Sequence, residues 1–136
     1  MQAVVLEAPL FLVLPENPEK KFYLTLNNYI KWSPGLRTKL RRMYCEGIKK
    51  QMLNQSVRVP AERVTCSVLV FPPNDKRVRD VDNHTFVHVK WSNDALTEIG
   101  LWADDSIVCP IHLDRGPQDK EHPRVQLSYT ETTYCS

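Results

Sequence analysis

Hydrophobic residues recur along the chain in alternation with polar ones, or at helical spacing, and the two patterns predict most of the elements. Val4, Val5, Leu6, Leu10, Phe11, Leu12, Val13 and Leu14 fill residues 3–14. That density of branched apolar side chains predicts one strand, with Pro9 marking an edge or a bulge. The stretch PENPEKK then reads as a turn. Phe22, Leu24 and Leu26 alternate before an Asn27-Asn28 pair suited to a second turn. A helix is predicted from Ser33 onward. Ser33 is placed to cap it, Pro34 fits its first position, and Leu36, Leu40, Met43, Tyr44, Gly47, Ile48 and Met52 form one stripe. Val64, Cys66, Val68 and Val70 alternate along a strand that Pro72-Pro73 ends. Trp91, Ala95 and Ile99 have helical spacing, with Gly100 as a stop signal. SIVCPIHL and RVQLSYTET read as two further strands around a polar loop, with Val125, Leu127 and Tyr129 on one face of the last.

The predicted order, β-β-α-β-α-β-β, implies an α/β or α+β single domain over residues 1–136, with a mixed sheet and two main helices. The length of 136 residues suits one domain, and a hydrophobic fraction of 42% suffices for a core. No apolar run approaches the ~18 residues of a membrane span. The apolar N-terminus lacks a basic leader and is broken by acids and prolines, so it reads as a strand rather than a signal peptide. Cys45, Cys66, Cys109 and Cys135 are widely spaced without a paired motif, which argues against zinc ligation and for reduced thiols.

A net charge of +2 names no partner, but its distribution is uneven. Lys39, Arg42, Lys49 and Lys50 fall on one face of the first long helix, either solvated or available to phosphates. Lys76, Arg77 and Arg79 run directly into Asp80 and Asp82. Alternate positions of an extended chain point to the same side, so the two carboxylates would repel unless a cation lies between them. Hard divalent ions take such oxygen ligands, and clustered acids beside a basic run suit chemistry on a phosphodiester. Asp104 and Asp105 supply further acids after the next helix. A strand end, a helix and a returning strand are expected to bring both acid pairs to one edge. The basic run either balances the carboxylates or clamps phosphates, and the two roles are compatible.

The order RVRDVDN, then a lysine, then DALTEIGLWADDSIV resembles the RusA-type Holliday junction resolvases of phages and prophages. The close match covers residues 77–108, and a looser one reaches LTLNNYIKW and the basic helix. The resemblance implies a homodimeric endonuclease that resolves four-way junctions in branched DNA. It implies Mg2+ as cofactor, with Mn2+ as a substitute, and neither a small-molecule cofactor nor a membrane partner. It also implies action in the cytoplasm of a bacterial host. Asp80, Asp82 and Asp105 then correspond to the metal-site acids, and Asp104 to a neighbour that bonds backbone or caps a turn. Asn83 either orients an acid or caps a helix. The family's lysine follows the second acid by four residues, a place held here by Phe86. Counting back from DAL, the matching residue is Lys90, so the chain carries four extra residues within HTFVHV. As helix they add about 400° of rotation and ~6 Å of rise, which keeps Lys90 facing the same way one turn further on. That reading is preferred to an extended one. His84 and His88, at i and i+4, are expected to face solvent or phosphate rather than to ligate a metal. Trp32, Trp91 and Trp102 are expected in the core or at a dimer contact. Two alternatives remain at this level: a non-catalytic protein that binds branched DNA with the same fold, and a nuclease of different DNA specificity.

Overall fold

The computed structural model describes residues 3–55, 60, 63–73 and 82–132, with Asp82 described by its backbone alone. The elements in chain order are β1 (Val4–Ala8), β2 (Phe11–Leu14), β3 (Asn17–Tyr23), α1 (Leu26–Tyr29), α2 (Pro34–Met52), β4 (Val64–Phe71), α3 (Asp82–Glu98), β5 (Val108–Arg115) and β6 (Arg124–Glu131). A single 3-10 turn, Asp105–Ile107, leads into β5. The architecture is α+β, as the alternation predicts. No helix among the described residues is long and apolar enough to cross a membrane.

Four strands form a mixed sheet in the order β1-β6-β4-β5. β6 runs antiparallel to both β1 and β4, whereas β5 runs parallel to β4, with α3 as the crossover between them. The period of two then decides what is buried. Val64, Cys66, Val68 and Val70 of β4 share a face with Val125, Leu127 and Tyr129 of β6 and with Val4, Leu6 and Ala8 of β1. All ten are buried and form the sheet side of the core, beneath α2 and α3. Burial of this kind contributes about 25 cal/mol per Å2 of apolar surface, which is what offsets the cost of ordering the chain.

Residues 3–14 are two strands rather than one. Pro9 ends β1, and the chain leaves the main sheet to pair β2 with β3 as a separate hairpin. Proline donates no ladder hydrogen bond, so the break falls where an uninterrupted strand would need one. The expected turn over PENPEKK is only Pro15-Glu16, because β3 already begins at Asn17. The Asn27-Asn28 pair lies in α1 instead of a turn. Thr25 caps this short helix, its hydroxyl accepting from the Asn28 backbone N–H at 3.3 Å.

α2 follows the sequence reading closely. Ser33 Oγ accepts from the Leu36 N–H at 3.2 Å, Pro34 occupies the first turn, and Leu40, Tyr44, Ile48 and Met52 are buried. α3 begins well before Trp91: the HTFVHV stretch is helical, in agreement with the preferred reading. Its end is a Schellman cap. Gly100 takes φ +84°, the Gly100 N–H donates to Thr97 O at 3.0 Å, and the Leu101 N–H donates to Leu96 O at 3.0 Å. Ile99 does not continue the buried stripe, since it is 42% exposed at the point where this cap turns the chain.

Candidate functional site

α3 is the element that carries the candidate chemistry. Asp82 is its first residue. Lys76, Arg77, Arg79 and Asp80 lie outside the described residues, as does the carboxylate of Asp82. Asn83 is fixed by its neighbours: its Oδ1 accepts from the Asn27 backbone N–H at 3.2 Å. The contact ties the start of α3 to α1, and neither expected role of Asn83 includes it. Phe86, at the family's lysine position, is 41% exposed and packs edge-on against Tyr29, with ring centroids 5.2 Å apart.

Asp104 and Asp105 stand where the chain turns from α3 into β5. Asp104 caps the 3-10 turn, its Oδ1 accepting from the Ser106 N–H at 3.1 Å, which is the role assigned to it from the sequence. Asp105 is exposed, yet its carboxyl is held above the ordinary range. Partial desolvation is the main cause, followed by a hydrogen bond to Asp104 and the charges of Asp104 and Asp94, while Lys90 pulls the other way. Lys90 is itself exposed. Lys90 thus offsets part of that rise from a place one turn further along than the family spacing. α3 packs directly against the 3-10 turn, which makes this influence a property of the crossover.

The sequence reading missed Asp94, one turn beyond Lys90. Its carboxylate accepts from Arg41 Nε at 3.1 Å, and it contributes to the acid-rich surroundings of Asp105. The i, i+4 spacing from Lys90 was the available signal. Asp105 therefore lies beside the second half of α3. Asp82 precedes Lys90 by eight residues, or about 12 Å of helical rise, so the expectation that the crossover brings both acid pairs to one edge is corrected: β5 runs parallel to β4, and α3 carries the chain from the Asp82 end to the opposite end before Asp104 and Asp105. Among the described residues, no group of three or more His, Cys, Asp or Glu side chains is placed to hold a metal ion. The donor chemistry of the Asp104–Asp105 corner nevertheless suits a hard cation. The Asp105 carboxyl, raised first by partial desolvation and then by its acidic neighbours, gains from a bound positive charge.

The expected exposure of the histidines is corrected. His88 is fully buried, with Nδ1 2.8 Å from the Tyr44 hydroxyl and Nε2 without a partner among the described residues. Burial, with a smaller contribution from His84, lowers its pKa to about 3, so it is neutral at physiological pH. His84 is half-buried; burial lowers its pKa, and its Nδ1 has no partner among the described residues. The helix phase explains the difference. Val87, His88 and Trp91 face the core, a phase that the alternating HTFVHV string conceals.

The basic face of α2 is partly neutralised within the fold. Lys39 pairs with Glu16 at 3.2 Å and Lys49 with Glu98 at 3.6 Å, whereas Arg42 and Lys50 are exposed without an ion pair to any described residue. Trp91 and Trp102 are core residues, and Trp32 is partly buried in the ring cluster with Tyr29 and Trp91. Compared with models of known protein families and with curated proteins, the chain matches none of them.

Proposed function

We propose that the protein is a metal-dependent endonuclease that cuts branched DNA as a homodimer, in the manner of the RusA-type junction resolvases. The observation that carries this reading is the packing of α3, the helix that carries Lys90, against the 3-10 turn that presents Asp105. An exposed acid crowded by other acids, with one cation beside it, is an arrangement for binding a divalent ion and a phosphate together. Asp80, Asp82 and Asp105 are the acids assigned to Mg2+ or Mn2+, which when bound would supply a Lewis acid at the phosphoryl oxygens and an activated water. Because Asp82 begins α3 and Asp105 lies beside its second half, a single ion shared by all three would need acids from more than one subunit. Lys90 neutralises charge on the phosphate or on the departing oxygen. Asp104 holds the turn that presents Asp105. Lys76, Arg77 and Arg79 are assigned to the DNA backbone, together with Arg42 and Lys50, whose charges the described fold leaves unpaired. A two-fold dimer presents two such sites, which suits paired cuts in opposed strands.

The test is incubation of a synthetic four-way junction with the protein, with and without Mg2+, alongside the Asp82→Asn variant. Mg2+-dependent symmetric nicks by the wild type, lost in the variant while junction binding persists, support the proposal. Normal cutting by the variant removes Asp82 from the site. Junction binding without any nick supports the non-catalytic alternative instead, and preferential cutting of flaps or linear duplex supports a nuclease of different specificity.

A further inference from the structure

The cleft between β3 and the start of α2 was not singled out by the charge pattern along the chain. It has a volume of about 370 Å3 and is lined by Lys20, Lys21, Tyr23, Asn28, Lys31 and Trp32, among others. Its lining contains three lysines and no acidic side chain. None of the three forms an ion pair with a described residue, in contrast to Lys39 and Lys49 on α2. Two of them are steadied over ring faces instead. Lys20 Nζ lies 5.1 Å from the centroid of Phe22, and on the other face of β3 Lys21 Nζ lies 5.0 Å from that of Phe11, so the two flank the strand that borders the cleft. A ring contact holds an ammonium group in place without cancelling its charge. The walls are aromatic as well: Tyr23 is partly exposed and Trp32 is half-buried. Asn28 anchors one side by donating from Nδ2 to Tyr23 O at 3.2 Å.

Unpaired cations interleaved with aromatic rings in a groove are the recognition chemistry of a nucleic-acid strand, with ammonium groups tracking phosphates and ring faces receiving a base or sugar. The position in the fold favours the same occupant. Asn27, next to the lining residue Asn28, is bonded to Asn83 at the start of α3, beside Asp82. We infer that this cleft binds a single DNA strand through its sugar–phosphate backbone, guiding a strand that passes the start of α3. The inference extends the proposed function, in that it names where the substrate strand is held.

The experiment is fluorescence anisotropy of a labelled oligothymidylate over a range of salt concentrations in EDTA, so that no cleavage intervenes. It compares the wild type, the triple variant Lys20→Gln/Lys21→Gln/Lys31→Gln, the single variant Lys31→Gln, and Lys120→Gln as a control on a remote exposed loop. Each lost phosphate contact lowers the slope of log affinity against log salt by about 0.7. The triple variant is expected to lose roughly 2 units of slope and to bind at least about tenfold more weakly at low salt. Lys31→Gln, an exposed change with little bearing on folding, should show about a third of the slope change, and Lys120→Gln none. Unchanged slope and affinity in both cleft variants, or no binding by the wild type, overturns the inference. Wild-type binding that depends on the cleft, with no Mg2+-dependent cutting of any DNA, upholds it while sinking the nuclease proposal.

Discussion

The two sides of α3 use polar residues in opposite ways. On the inner side, His88, Ser92 and Asn93 are buried and, with one exception, satisfied. The Tyr129 hydroxyl donates to Asn93 Oδ1 at 2.7 Å and lies 2.7 Å from Ser92 Oγ. A phenol has one proton, so the serine is the donor in that second bond. The exception is Nε2 of His88, which in either tautomer has no partner among the described residues. On the outer side, Lys90, Asp94 and Asp105 are exposed or partly so and interact mainly through charge. Inner polar groups fix the helix against the sheet at a cost that is recovered only when every bond is made. Outer ones can change partners with little effect on the fold, and for that reason they are free to meet a cation and a phosphate. Polar residues a few positions apart thus serve different ends: packing inside, availability outside.

The largest effect expected from this contrast is on activity, and it comes from the outer side. Asp105→Asn should reduce junction cleavage by roughly 100-fold or more, the scale at which support of a metal site begins to fail. Its free energy of unfolding in urea should stay within about 0.5 kcal/mol of wild type, as is usual for exposed sites. A variant that loses both activity and stability would break the contrast.

The inner side should show the reverse. Tyr129→Phe leaves Asn93 Oδ1 and Ser92 Oγ short of a buried partner and should cost roughly 1–3 kcal/mol by equilibrium urea unfolding. Cleavage measured below the unfolding transition should persist. Loss of cleavage without loss of stability would assign Tyr129 to the site.

A smaller effect sharpens the same point through pH. Folding lowers the pKa of His88 from an ordinary value near 6.5 to about 3. The unfolded chain therefore binds the proton more readily than the folded one. The contribution of the neutral imidazole is present above about pH 6.5 and is lost as the pH falls from there toward 3. Between pH 6.5 and 5, above the range of most carboxylates, the wild-type urea midpoint should decline more steeply than that of His88→Gln. Equal slopes would remove His88 as the source.

The smallest effect belongs to the ion pairs at the rim. Arg41 donates to Asp94 at 3.1 Å and to Glu98 at 3.0 Å, with all three side chains partly exposed. Arg41→Gln should cost less than about 1 kcal/mol, and the loss should shrink further in high salt. A larger loss would place these pairs with the inner network.

Much of this contrast was written in the chain. Alternation in β4 and β6 identified their buried faces, because a strand has only two sides. Ser33, Pro34 and Gly100 marked helix ends through local backbone chemistry. The assignment of Asp104 to a turn came from the family resemblance, and the cap it makes is local. Other features were not legible. HTFVHV alternates like a strand, yet its neighbours on both sides are helical, and α3 absorbs it, carrying His88 into the core. The Asn27-Asn28 pair suits a turn, but Thr25 caps a short helix there. Charge on α2 looked available in one dimension, while Glu16 and Glu98, distant in sequence, neutralise part of it.

The sequence by itself determined the period of each element, the strongest helix caps, and which residue types carry charge near the candidate acids. Those properties depend on neighbours within a few residues, where sterics and hydrogen bonding act directly. Only the tertiary structure decided which charges remain free. Pairing β4 with β5 across α3 packs the turn that presents Asp105 against α3, and folding the β2–β3 hairpin against α2 gathers Lys20, Lys21 and Lys31 around one cleft. Electrostatic availability depends on distance through space, and the residues that set it here are separated by up to tens of positions along the chain.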